Sequence, residues 1–281
     1  MSLETRIYQK ENKTHILKLL IESLRDIYKS RFLSRQLAIR DIKAQYRQSY
    51  FGILWAFIMP LTTAFIWIFL NRSGTIQLSD TGIPYPVYAF SGTLLWAILT
   101  DAINSPILST TSAKSMLSKI NFPKEALIVS GVYKLLFSSG IKLVLLFVFL
   151  IIYNVGLNWT LILFPFAILG VITFGITVGL FLTPMGMLYK DVAKIISIGL
   201  GFAMYATPVV YAVPNSGIMK TIMEYNPLTP LINTARDLVV GLSPAYLTYF
   251  LIIILVCLPL FFLALIFYRI SIPIIVERMS S

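Results

Sequence analysis

Twenty consecutive residues from Phe51 to Leu70 carry no charge, and the same is true of the twenty-four from Ala245 to Tyr268. A helix needs about 20 apolar residues to cross a bilayer core. Backbone groups in hydrocarbon must be satisfied internally, so only helices and closed barrels span it. These runs are continuous rather than alternating, which selects helices. Four further runs are also continuously apolar, two of them interrupted by Asp101, Lys134 and Lys142. The sequence therefore predicts six spans: Phe51–Leu70, Val87–Leu108, Ala126–Tyr153, Trp159–Leu188, Ile195–Tyr211 and Ala245–Tyr268. The fold class is an all-α integral membrane protein. With 12% charged residues, against about 25% in soluble domains, there is little material for a separate soluble unit. Residues 1–281 read as one transmembrane domain. Within it, 1–50 is a cytoplasmic and interfacial segment and 51–270 the membrane part.

Charge sets the sidedness. Eleven of the 23 Lys and Arg residues precede Phe51, immediately before the first span. Positive residues collect on the cytoplasmic side of spans, so a net charge of +11 reflects topology and anionic lipid rather than nucleic acid. With the N-terminus inside, 18 Lys and Arg fall in cytoplasmic segments and three (Arg72, Lys220 and Arg236) outside. Both termini are expected in the cytoplasm. The N-terminus lacks the basic, apolar and small-residue order of a cleavable signal peptide. Thr14–Lys29 reads as an amphipathic helix. Arg31–Arg47 interleaves Phe32, Leu33, Leu37, Ile39, Ile42 and Tyr46 with cations, as a helix lying in the membrane surface does. Arg40, Lys43 and Arg47 are three and four residues apart and share a side of it.

Residues 213–244 are outside by this topology, yet only moderately polar. Ile218–Tyr225 and Leu231–Val240 are each too short to span, and Asn226-Pro227-Leu228-Thr229-Pro230 breaks them. They read as a re-entrant helical hairpin before the last span, the alternative being a surface loop with two short helices. Glycines 170, 175, 179 and 186 in the fourth span suit close helix packing.

Little in the chain points to chemistry. There is no G-x-x-x-x-G-K-[ST] phosphate loop, no H-E-x-x-H and no Cys/His cluster, so no metal site and no catalytic residues are expected. The single cysteine, Cys257, lies in an apolar run. Three charges fall inside spans: Asp101, Lys134 and Lys142. Buried charges seek partners. Counting residues from the cytoplasmic ends puts Asp101 at the depth of Lys134. The expectation is an Asp101–Lys134 pair, with Lys142 facing a channel or snorkelling outward.

Four segments in this order, LAIRDIKAQYRQSYFGILWAFIMP, SKINFPKEAL, LYKDV and YNPLTPLINTARDLVVG, make the chain resemble the membrane (permease) subunit of type-2 ABC exporters of bacterial surface polysaccharide. O-antigen exporters are the nearest pattern, with teichoic-acid and capsule exporters beside them. The resemblance implies a multi-pass protein of the bacterial inner membrane. It also implies a partnership of two copies of the chain with two copies of a separate ATPase, which binds ATP and magnesium; this chain needs no cofactor. The substrate would be an undecaprenyl-linked polysaccharide. By the same resemblance Asn121, Phe122, Pro123, Lys124 and Glu125 form a loop that couples to the ATPase, together with Tyr189, Lys190 and Asp191. Arg40, Lys43, Tyr46 and Arg47 belong to the substrate entrance. Asn226, Pro227, Arg236 and Asp237 belong to the re-entrant outer gate. Phe-Pro-Lys-Glu also reads as an ordinary helix start, with Pro and Glu in its first turn. Trp55, Trp67, Trp96 and Trp159 suit an interfacial belt; Tyr88, Phe90, Trp96 and Tyr211 are candidates for stacking on sugars. Other classes remain open: a polytopic transferase acting on a polyprenyl lipid, which would need an acidic pair or histidine in a polar loop, and an ion-coupled flippase, which would need more intramembrane carboxylates.

Overall fold

A computed structural model describes residues 16–47, 50–74, 82–117, 119–120, 122–156, 158–189 and 191–280. Asn121, Lys190 and Thr14 lie outside these residues. The described residues form eleven α-helices and two short 3-10 turns, with no strand. In chain order the helices are α1 (Ile16–Lys29), α2 (Arg31–Arg47), α3 (Trp55–Arg72), α4 (Tyr85–Ser112), α5 (Lys114–Leu117), α6 (Glu125–Ile152), α7 (Phe164–Leu188), α8 (Val192–Tyr205), α9 (Ile218–Tyr225), α10 (Leu228–Val240) and α11 (Leu247–Ser280).

Five helical segments are long and apolar enough to cross a membrane: Gly52–Arg72, Tyr85–Ser112, Glu125–Ile152, Phe164–Leu188 and Leu247–Arg278. The chain is a helical multi-pass membrane protein. The expected helix over Ile195–Tyr211 is corrected. α8 starts at Val192 and stops after 14 residues at Tyr205, or about 21 Å of rise, short of a bilayer core of about 30 Å. Pro208 is the reason. A proline cannot continue the hydrogen-bond ladder, and it pushes the residue before it out of the helical region.

α4 is the central helix. Val87, Ala89, Phe90, Leu94, Leu95, Ile98 and Leu99 are all buried along it, and α7, α6, α3 and α10 pack around it. α7 lies between α4 and α11. Gly175 and Gly179 let its backbone approach Leu99, Ala102, Ile103 and Pro106 of α4, where a Cβ would collide. α10 is buried through Pro230, Leu231, Ile232, Ala235, Leu238 and Val239 against α7, α4 and α11. It starts three residues before the expected Leu231, because the Asn226 Oδ1 accepts from the Leu228 N–H at 2.9 Å. It ends where Gly241 adopts φ 85°, a left-handed cap that glycine adopts without strain.

α3 and α8 are different. Only Ala64 of α3 is buried, and no residue of α8 is. Phe65, Ile66 and Phe69 of α3 and Ile195, Ile198 and Phe202 of α8 are exposed. α2 also departs from the surface-helix expectation. Its buried residues are Ser34, Leu37 and Ala38, seated on α6, and its remaining apolar residues do not form one stripe. Amphipathic character is concentrated in α1, where Leu17, Ile21, Leu24 and Tyr28 form an exposed apolar face.

Candidate functional site

Three cavities stack along the crevice that separates α2 and α3 from α4 and α6. The innermost, about 220 Å³, lies between Ile42, Gln45 and Tyr46 of α2, Asn104, Ser105 and Leu108 of α4, and Lys134 and Ser138 of α6. The middle one, about 500 Å³, is walled by Tyr46, Trp55, Trp96 and Met204, with Asp101, Ser138 and Lys142 at its back. The outermost, about 550 Å³, is lined by Phe65, Ile68, Phe90, Phe149 and Tyr153, with Arg72 at its rim. The crevice thus combines polar groups that can bond hydroxyls with aromatic faces that can stack.

Its charges pair differently from the sequence expectation. Lys142 donates to Asp101 Oδ2 and, at 2.9 Å, to Ser138 Oγ; Ser138 donates to Asp101 at 3.0 Å. Lys134 instead reaches Asp41 Oδ2 at 2.8 Å. The expected Asp101–Lys134 pair is therefore absent, and Lys142 is 8% exposed rather than free in a channel. Side-chain direction explains the exchange. Gly131 of α6 sits level with Ser105 and Ser109 of α4, which places Asp101 beside Ser138. Lys134 and Lys142 lie one turn either side, about 6 Å each way. Helical side chains lean toward their own N-terminus. Lys142 therefore leans toward Asp101, and Lys134 leans away, toward α2. Burial alone would push the Asp41 carboxyl up, but hydrogen bonds and charge from Lys134 and Arg40 outweigh it and hold it below its ordinary value.

Arg40, Lys43, Tyr46 and Arg47, which the resemblance assigns to an entrance, all lie on α2. Arg40 pairs with Asp41 at 2.8 Å, and Lys43 and Arg47 are exposed. Tyr46 lines both inner cavities beside Asp101. Burial, with the Asp101 charge nearby, raises the Tyr46 hydroxyl pKa. Of the aromatic candidates, Trp96 faces the crevice. Phe90 is fully buried against Phe149, at 4.2 Å between ring centroids, touching only the outermost cavity. Tyr88 is occupied by Arg236.

Of the four residues the resemblance assigns to an outer gate, Arg236 and Asn226 converge on the non-helical stretch after α8. Arg236, 2% exposed, donates to Pro208 O at 2.9 Å and Val209 O at 2.5 Å, with its guanidinium 3.8 Å from the Tyr88 ring centroid. Tyr88 donates to Tyr211 O at 3.1 Å. Asn226 donates to Ala206 O at 2.8 Å. Unwound backbone is tolerated at membrane depth only when protein satisfies its polar groups, and these three side chains do so. Gly92 lies beneath this clamp, where a Cβ would strike Val209 O and the Arg236 guanidinium. Asp237 takes no part in the clamp; its main-chain oxygen caps α10 by accepting from Gly241 and Leu242. Pro227 lies in a separate apolar cleft with Phe174, Phe181 and Cys257.

At the other end of the bundle, the loop before α6 is anchored from behind. Glu125, 2% exposed, accepts from Arg269 Nη1 and, at 3.2 Å, from Ser23 Oγ. Arg269 also donates to Asp26 at 2.8 Å and meets Glu22 at 3.4 Å. Tyr268, fully buried, donates to Lys124 O at 3.3 Å and shares a hydrogen bond with Thr110 at 2.9 Å. The Lys124 ammonium folds over the Phe122 ring, 5.0 Å from its centroid, and burial lowers its pKa. Tyr189 and Asp191 are exposed before α8. Sequence reasoning missed Asp41, Ser138, Tyr268 and Arg269. Two of these carry a signal: Asp41 is the one carboxylate in Arg31–Arg47, and Ser138 stands four residues before Lys142.

A helical membrane protein with a polar, aromatic crevice and a loop held by ion pairs at the foot of a span belongs to the class of membrane transporters. The family model described as ABC-2 type transporter matches residues 33–240. That is more than half of the chain, and the protein belongs to this family. It is similar to an O-antigen export system permease protein RfbA of Myxococcus xanthus, 27% identical over 225 residues covering 80% of each chain. Two proteins of the same description from Klebsiella pneumoniae are 26% and 25% identical, over 71% and 76% of this chain and 76% and 85% of their own.

Proposed function

We propose that this chain is the permease subunit of an exporter that moves a lipid-linked, O-antigen-like polysaccharide across the bacterial inner membrane. The observation that carries the reading is the crevice, whose wall offers Tyr46, Trp55 and Trp96 faces beside Asp101, Ser138 and Lys142 in a chain similar to O-antigen export permeases. Aromatic faces bind sugar rings through their apolar sides, and paired charges exchange hydrogen bonds with hydroxyls. Arg40, Lys43 and Arg47, at the cytoplasmic end of the crevice, would meet the diphosphate of the carrier lipid. Two copies of the chain would complete the pathway, their contact made by the exposed apolar faces of α3 and α8. Phe122–Glu125 and the stretch around Tyr189 and Asp191 would face two copies of an ATPase, which supplies ATP hydrolysis with its own magnesium.

The same reading retains six crossings with both termini inside. Residues 206–211 are bonded by Arg236, Asn226 and Tyr88 and would complete the fifth crossing begun by α8. Buried α10, with α9, would be the re-entrant hairpin, and residues 1–281 a single permease domain. The test is co-expression with an ATPase carrying Walker motifs, followed by glycan detection on the outer leaflet. Outer-leaflet glycan that depends on both subunits supports the proposal. Glycan confined to the inner leaflet when both are present refutes it.

A further inference from the structure

Glu22, Arg25, Asp26 and Lys29 are spaced three and four residues apart, so they share one face of α1. That face does not look into solvent alone. With Phe122, Pro123 and Arg269 it encloses a cytoplasmic cavity of about 650 Å³. The charges in the cavity are unevenly used. Arg269 engages both Glu22 and Asp26, and also Glu125 behind them. Arg25 and Lys29 are exposed and make no ion pair among the described residues. The carboxylates share the one guanidinium of Arg269, and neither Arg25 nor Lys29 is drawn into the pairing. The cavity therefore presents two free positive charges beside an apolar ring and a proline.

We infer that the ATPase contact is a composite surface, in which Arg25 and Lys29 of α1 receive carboxylates of the ATPase subunit while Phe122 and Pro123 supply the apolar part. The inference rests on the reading of this chain as an ATPase-driven permease and adds a second element to its docking surface. Arg269 and Ser23 hold α1 and the loop together through Glu125, so the two halves move as one body. An ATPase that grips both would pull on α1, α6 and α11 at once. Free cations at the edge of an apolar contact steer an anionic partner and make its binding sensitive to salt.

The test uses the full permease co-expressed with its ATPase and purified in a neutral detergent without added lipid. Wild type should retain the ATPase at low salt and lose it progressively as salt rises. The double variant Arg25→Glu/Lys29→Glu should weaken retention at low salt by about tenfold or more. Arg25→Lys/Lys29→Arg, which keeps both charges, should retain it. Neither side chain is buried, so elution as one sharp species is expected for both; Arg25→Gln/Lys29→Gln is the milder variant should reversal disturb folding. If charge reversal leaves retention unchanged while Phe122→Asp abolishes it, the composite surface is wrong and the permease reading stands. If wild type retains no ATPase at any salt, the permease reading falls as well. An effect seen only in vesicles containing anionic lipid assigns the cations to the membrane and overturns the inference.

Discussion

Replacing Asp101 by asparagine removes the carboxylate that faces the Lys142 ammonium. Ser138 Oγ, at 2.9 Å, is then its remaining partner. Removing one member of a fully buried pair costs about 3–5 kcal/mol, because the other charge stays desolvated. The site is less enclosed than that. The Lys142 side chain is 10% exposed, but that of Asp101 is 43% exposed to the crevice, and water there screens part of the loss. The expected cost is about 2 kcal/mol, which is roughly thirtyfold in the folded-to-unfolded ratio. The assay is thermal unfolding of the detergent-purified protein, read as loss of the monodisperse peak. A double-mutant cycle isolates the pair. Asp101→Lys and Lys142→Asp should each destabilise, and together they should recover most of the loss. Asp101→Lys with Lys134→Asp should recover nothing, whereas Asp41→Lys with Lys134→Asp should. Rescue of Asp101→Lys by Lys134→Asp would refute the argument from side-chain lean.

Trp96→Ala and Trp55→Ala should each lower glycan export; the loss should come with little destabilisation for the exposed Trp55 and with more for Trp96, measured by export assay beside thermal unfolding. Gly92→Ala should cost about 1–3 kcal/mol by forcing Val209 and Arg236 apart, and should increase labelling of a cysteine placed at Val210. Lys134 and Arg40 hold the Asp41 pKa below its ordinary 3.8. A depressed carboxylate stabilises the fold above that pH and ceases to do so as pH falls through the lowered value. The melting difference between wild type and Asp41→Asn should be full at neutral pH and shrink below pH 3.8.

The helices were legible because hydrocarbon leaves the backbone few options, and the bounds of α9, Ile218–Tyr225, were read correctly. The end of α8 was misread because an apolar run does not reveal where its helix stops. Ala206–Tyr211 is apolar enough to continue a span, yet from Ala206 onward it runs in turns and bends around Pro208, whose freed backbone carbonyls need Arg236, Asn226 and Tyr88 to satisfy them. Arg236 and Asn226 were legible as family motif residues. What they hold, a segment some twenty to thirty positions earlier, was not.

The charge pairs show the same limit from another side. Depth along a span follows from counting, but the choice between two lysines one turn above and below an aspartate depends on the direction in which each helix runs. Because α4 and α6 are antiparallel, Asp101 and Lys142 lean toward each other on the same wall of the crevice, while Lys134 is left to bind α2 across it through Asp41. α2 carries Arg40, Lys43, Arg47 and Tyr46, so the Lys134–Asp41 bond ties this wall of the crevice to the same helix, α6, whose first residue is Glu125. Glu125 in turn is held by Arg269 of α11 and by Ser23 of α1. One helix, α6, thus joins α2 through Lys134 and Asp41, and α1 and α11 through Glu125 at its first residue.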